Sequence, residues 1–72
     1  MQRQVNGPAI RAIRMALGIK QQDLAERSGI SPSHMNKIES GAEPGRFETV
    51  ARIAQELGVS VDAIAPVIKV PA

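Results

Sequence analysis

The 72-residue chain contains no cysteine, no tryptophan and no tyrosine, and Phe47 is its single aromatic residue. Without cysteine there are no disulfides, no thiolate zinc sites and no sulfur nucleophile, so packing alone must hold the fold. That composition suits a reducing compartment, and a cytoplasmic protein is expected. The lack of aromatics removes the stacking platform on which single-stranded nucleic-acid binders lay successive bases. No charge-free run is long enough to span a bilayer and no basic-then-apolar leader opens the chain, so neither a membrane protein nor a secreted one is expected. The length itself allows one small domain, too short for a two-domain enzyme.

What is present is a globular balance, with 43% apolar and 22% charged residues. Nine Lys/Arg against seven Asp/Glu leave a formal net charge of +2. A basic bias of this size acquires meaning only if the positive residues share a patch, because phosphate contact is local.

Apolar spacing predicts helices throughout. Ile10, Ile13 and Leu17 recur at helical intervals, with Arg11 and Arg14 off that stripe. Asn6, Gly7 and Pro8 mark the start of this first helix and Gly18 its end. A second helix is expected from about Gln21 to Ser28, with Ile19 and Leu24 as a hydrophobic staple and Gly29 as the stop. Ser31 then caps a third helix with Pro32 in its first turn, Ile30 and Met35 repeat the staple, and Gly41 closes it. After a loop from Gly41 to Gly45, Val50, Ile53, Ala54 and Leu57 mark a fourth helix ending at Gly58. Ser60 caps a short fifth, with Val59 and Ile64 as staple and Pro66 as terminator. Met35 is assigned to the core and Met15 to filling space within it. Val67, Ile68, Lys69 and Val70 form the one stretch rich in β-branched residues. Two readings stand for it: a frayed terminus, or a short strand or apolar strap exchanged between the subunits of a dimer.

The turn Ser28-Gly29-Ile30-Ser31 is too short for its flanking helices to run antiparallel, so they must cross steeply, as in a helix-turn-helix. The third helix then carries Ser33, Asn36, Lys37 and Ser40 on its outer face at i, i+3, i+4 and i+7. Taken alone, such a stripe is either a solvated surface or a set of base-reading groups.

The stretch from Ile19 to Gly41, with Gln21, Leu24, Ala25, Gly29, Ile30, Met35, Ile38, Glu39 and Gly41 in register, resembles the DNA-binding domains of Cro and the lambdoid phage repressors, the XRE-like helix-turn-helix group. The first helix, Phe47 to Gly58 and the phrase Leu57-Gly58-Val59-Ser60-Val61 extend the likeness over about residues 8 to 65. The resemblance implies an all-α, compact five-helix lambda-repressor-like domain over 8–65, preceded by an N-terminal arm, 1–7, and followed by a tail, 66–72. It implies that the third helix enters the major groove of duplex DNA, with Ser31, Pro32, Ser33, Asn36 and Lys37 at the reading positions. Pro32 departs from the polar residue common in the phage proteins and offers only apolar contact, such as to a thymine methyl.

Phosphate contacts are implied at Lys20, Gln21, Gln22, Ser40 and Arg46. Lys20 stands where relatives carry a Ser or Thr cap, so the second helix leans on Asp23 and its staple. Arg14 and Glu39 fall where the phage repressors place a structural ion pair. A two-fold dimer on half-sites about 34 Å apart is expected, with Val61, Ile64, Val67 and Ile68 at its interface.

His34 is the only histidine, and the carboxylates Asp23, Glu26, Glu43, Glu48, Glu56 and Asp62 are scattered singly, so no zinc site, cofactor or acid–base pair emerges. The expected function is a non-enzymatic, sequence-specific DNA-binding transcriptional regulator acting as a repressor by operator occupancy, without a small-molecule ligand. The alternative is an antitoxin-type module that neutralises a partner protein and regulates its own synthesis.

Overall fold

The computed structural model describes residues 2–68, and the parts of the tail at Lys69 and Val70 lie outside them. Five helices follow one another: α1 (Gly7–Ala16), α2 (Gln21–Arg27), α3 (Pro32–Ser40), α4 (Phe47–Leu57) and α5 (Val61–Ile64). Local chemistry sets their bounds. The Asn6 side chain accepts from the Ala9 amide at 3.1 Å and Ser31 Oγ from the His34 amide at 3.0 Å, satisfying donors that a helix start leaves free. Lys20 makes no such bond at the head of α2. Gly41 ends α3 in the left-handed region at φ 84°, where a Cβ would be strained.

The helices share one core built from Ile10, Leu24, Met35, Ile38, Ile53 and Ile64, all fully buried, with Val50, Ala54, Leu57 and Ala65 around them. Each large aliphatic side chain so buried contributes about 1.5–3 kcal/mol. The small Ala25, also fully buried, lets α2 approach α3. A close approach also joins α1 to α3 at Gly7. A Cβ there would fall 2.8 Å from the carbonyl carbon of Glu39 and closer still to the Ile38 and Glu39 oxygens. Gly7 is therefore a packing residue as well as the first residue of α1.

Several expectations need correction. Leu17 does not complete the α1 stripe: the helix ends at Ala16 and the chain turns at Gly18, leaving Leu17 54% exposed. Met15 fills no core space and is 60% exposed. Ile64, assigned to a subunit interface, is wholly inside the monomer.

The arm and the tail are not separate from the domain either. Arg3 and Val67 form an antiparallel bridge, and the Gln4 amide donates to Pro66 O (3.1 Å), Asn6 N to Ile64 O (2.7 Å) and Ile68 N to Gln2 O (2.8 Å). Within the chain, the backbone of Val67 is thus paired with the chain's own arm, while its side chain stays exposed. Among the described residues no helix is long and apolar enough to cross a membrane.

Candidate nucleic-acid interface

α3 divides cleanly along its length. Met35, Ile38 and Glu39 are buried, whereas Ser33, Asn36, Lys37 and Ser40 are exposed on the opposite side, with Ser31 and Pro32 exposed at its start. The inner side is anchored by charge as well as by apolar packing. Arg14 Nε donates to Glu39 Oε2 at 2.9 Å and Nη2 to Oε1 at 3.1 Å, while Nη1 donates to the Ile19 carbonyl at 2.9 Å. The guanidinium therefore ties α1, the α1–α2 turn and α3 together, and its parallel fork fixes geometry as well as charge. Neither side chain is more than 10% exposed.

Gln21 joins this network from α2. Its Nε2 is 3.2 Å from Glu39 Oε1 and 3.4 Å from Asn36 Oδ1. The amide donor expected to face a phosphate is thus turned inward. Ser40 behaves similarly: its hydroxyl donates back to the Lys37 carbonyl at 3.1 Å, and its oxygen accepts from Ala42 N at 3.4 Å. Lys20 and Gln22 stay exposed at the head of α2, and Arg46 is exposed at the head of α4. Arg46 borders a hollow with His34, Glu43 and Thr49, which brings it beside the first turns of α3.

Two residues missed from sequence join the site. Arg11 is exposed and lines a polar cleft of ≈ 280 Å³ with Arg14, Gln21, Asn36, Glu39 and Ser40. Its place off the apolar stripe of α1, one turn before Arg14, is the signal that could have found it. Glu43, in the loop after α3, sets one carboxylate oxygen 3.7 Å from Lys37 Nζ and the other 3.3 Å from His34 Nε2. Nothing in the sequence pattern points to that contact, because the loop has no period to read.

Residues 10–64 match the helix-turn-helix family. The chain belongs to that family. This helix-turn-helix protein is 38% identical over 55 residues to the propionyl-CoA carboxylase regulator of Cereibacter sphaeroides, an alignment spanning 76% of the chain and 12% of that regulator. Among solved structures it is similar to the clp gene regulator ClgR of Corynebacterium glutamicum, with 34% identity, a TM-score of 0.76, and coverage of 79% of this chain and 62% of that one. It is likewise similar to the P22 c2 repressor protein in complex with synthetic operator 9T, at 29% identity and a TM-score of 0.76 over 82% of this chain and 89% of that one. The helix-turn-helix chain thus spans a small part of the carboxylase regulator and less than two thirds of that ClgR chain.

Proposed function

We propose that this chain binds duplex DNA sequence-specifically as a non-enzymatic transcriptional regulator in the cytoplasm, and that it represses by occupying its operator. The observation that carries the reading is the outer face of α3, where Ser33, Asn36 and Lys37 stand exposed on a helix whose inner face is locked to α1 and α2. Rigid support matters because base readout depends on hydrogen-bond geometry at the groove floor. The likeness to the operator-bound P22 c2 repressor adds to it.

In this reading Ser31, Pro32, Ser33, Asn36 and Lys37 meet base edges. Lys20, Gln22 and Arg46 hold phosphates, joined by Arg11, with Ser40 and the Gln21 backbone amide beside them. Binding is by a homodimer on an inverted repeat, since one domain of this size makes few phosphate contacts. Val61, Val67 and Ile68 remain available to the interface, with Phe47, which is 59% exposed, as a further apolar contact.

Selection of bound duplexes from a randomised library at two salt concentrations tests the reading, because affinity that rests on phosphates alone falls steeply with salt. An inverted repeat that persists at the higher salt is the expected result. No enriched sequence at either salt would defeat the proposal and turn attention to a protein partner.

A further inference from the structure

Asparagine carries both a donor and an acceptor, so which base it reads depends on how its amide is turned. At Asn36 the neighbours decide the turn. Glu39, paired with Arg14, offers only acceptor oxygens, so the Gln21 amide must present its NH2 group to it, as it does at 3.2 Å. The opposite orientation would set the Gln21 amide oxygen against the Glu39 carboxylate in a partly buried place, with no proton between the two oxygens. The NH2 of Gln21 has a second proton, and the atom it faces on Asn36 must accept. That atom is Oδ1, at 3.4 Å. With Oδ1 facing Gln21, Nδ2 is the other branch of the Asn36 amide, on a side chain exposed to solvent.

We propose that Gln21 is a positioning residue that presents Asn36 to the major groove as a hydrogen-bond donor, so that the base it selects is guanine rather than adenine. This inference rests on the DNA-binding reading above. The chemistry follows from the groove pattern. Guanine shows two acceptors, N7 and O6, and an outward-turned NH2 group fits them. Adenine shows an acceptor beside a donor, N7 and the N6 amine, and needs an asparagine free to offer Oδ1 and Nδ2 together. The buried Arg14–Glu39 pair therefore acts on base choice at one remove, through Gln21, without touching DNA.

The test compares library selections for the full chain and for Gln21→Met, Asn36→Ala and the double variant. The unmodified chain is expected to select guanine at one position of each half-site, a preference lost in Asn36→Ala. Gln21→Met keeps the volume and removes the amide, so the guanine-over-adenine ratio at that position is expected to fall by about fivefold or more, with other positions unchanged. The double variant is expected to match Asn36→Ala in base preference, since Gln21 acts through Asn36. Gln21→Asn keeps an amide but is one methylene too short to bridge, and the same loss is expected if the methionine variant does not fold. Adenine at the Asn36-dependent position overturns the inference. So does a uniform loss of affinity in the Gln21 variants with base preference intact, which would make Gln21 a backbone contact. If the unmodified chain enriches nothing, the DNA-binding reading fails first and this inference with it.

Discussion

Two arginine–carboxylate pairs tie distant parts of this chain, and the shorter of them is the weaker anchor. Arg3 Nη1 lies 2.6 Å from Asp62 Oδ1, yet the Asp62 side chain is 70% exposed and the contact is single. Arg3 also donates to the Ala65 carbonyl at 3.0 Å and stands 5.9 Å from the ring centroid of Phe47, all at the rim of the molecule. The nearest Arg14–Glu39 contact is 2.9 Å, but it is two-pronged, and Glu39 is 2% exposed. In water, attraction between the rim charges is largely offset by solvation and side-chain entropy. Inside, both charges have already lost their water, and each depends on the other. What separates the pairs is surroundings, not distance.

Removing one partner gives the largest contrast. Arg14→Ala leaves Glu39 buried without a counter-charge and is expected to cost about 3–5 kcal/mol. A chain of this length has a total of roughly 4–11 kcal/mol, so urea unfolding should show the variant near the edge of folding. Arg14→Met combined with Glu39→Leu should recover most of that loss; a double variant as unstable as the single would contradict the account. Next comes the backbone contact that lets α1 lie on α3. Gly7→Ala drives a Cβ into the Ile38 and Glu39 carbonyls and should cost about 1–3 kcal/mol or more, read from the same unfolding curves; an unchanged midpoint would mean that the two helices separate freely.

The Glu43 contacts lie between the two extremes, and there the effect is on binding. Glu43→Gln frees Lys37 and His34 from a nearby negative charge, so affinity for all duplexes should rise and its salt dependence steepen, with stability unchanged. Equal affinity before and after would show that Lys37 leaves Glu43 at no cost. Asp62→Asn should have the smallest effect, below about 1 kcal/mol. A loss as large as that of Arg14→Ala would collapse the distinction between rim and interior.

Much of the fold is legible because its signals are local. Caps such as Asn6 and Ser31, glycines such as Gly41, and apolar intervals within each helix act over four or five residues. The five helices lie close to where those marks place them, although Ser60 makes no side-chain cap bond at α5 and α2 ends at Arg27. Apart from Leu17 and Met15, which the local end of α1 leaves exposed, and the aperiodic loop that carries Glu43, the misses depend on neighbours remote in sequence. Gly7 looks like a turn residue until the α3 backbone is set against it. Ile64 suits an interface as well as a core until α5 is seen to place it among the fully buried residues. The arm–tail pairing involves too few residues for a period-two pattern to register. At the site, the polar stripe of α3 can be read from spacing, but the turn of an amide cannot. It is fixed at Gln21 by Glu39, 18 residues away, and no residue-type pattern encodes it.

The bridge between arm and tail also carries information about time. Arg3 and Ala65 are 62 positions apart, whereas most helix-forming contacts in this molecule span a single turn. Short-range contacts form within about a microsecond, and closing a long loop becomes favourable only once the intervening helices have shortened the path. The four-residue α5 has its last carbonyl held by the amide of Asn6, and a helix that short does not persist unaided. Arm and fifth helix are therefore expected to close late and as one unit, and hydrogen exchange at the Asn6 and Ala65 amides should show them opening together.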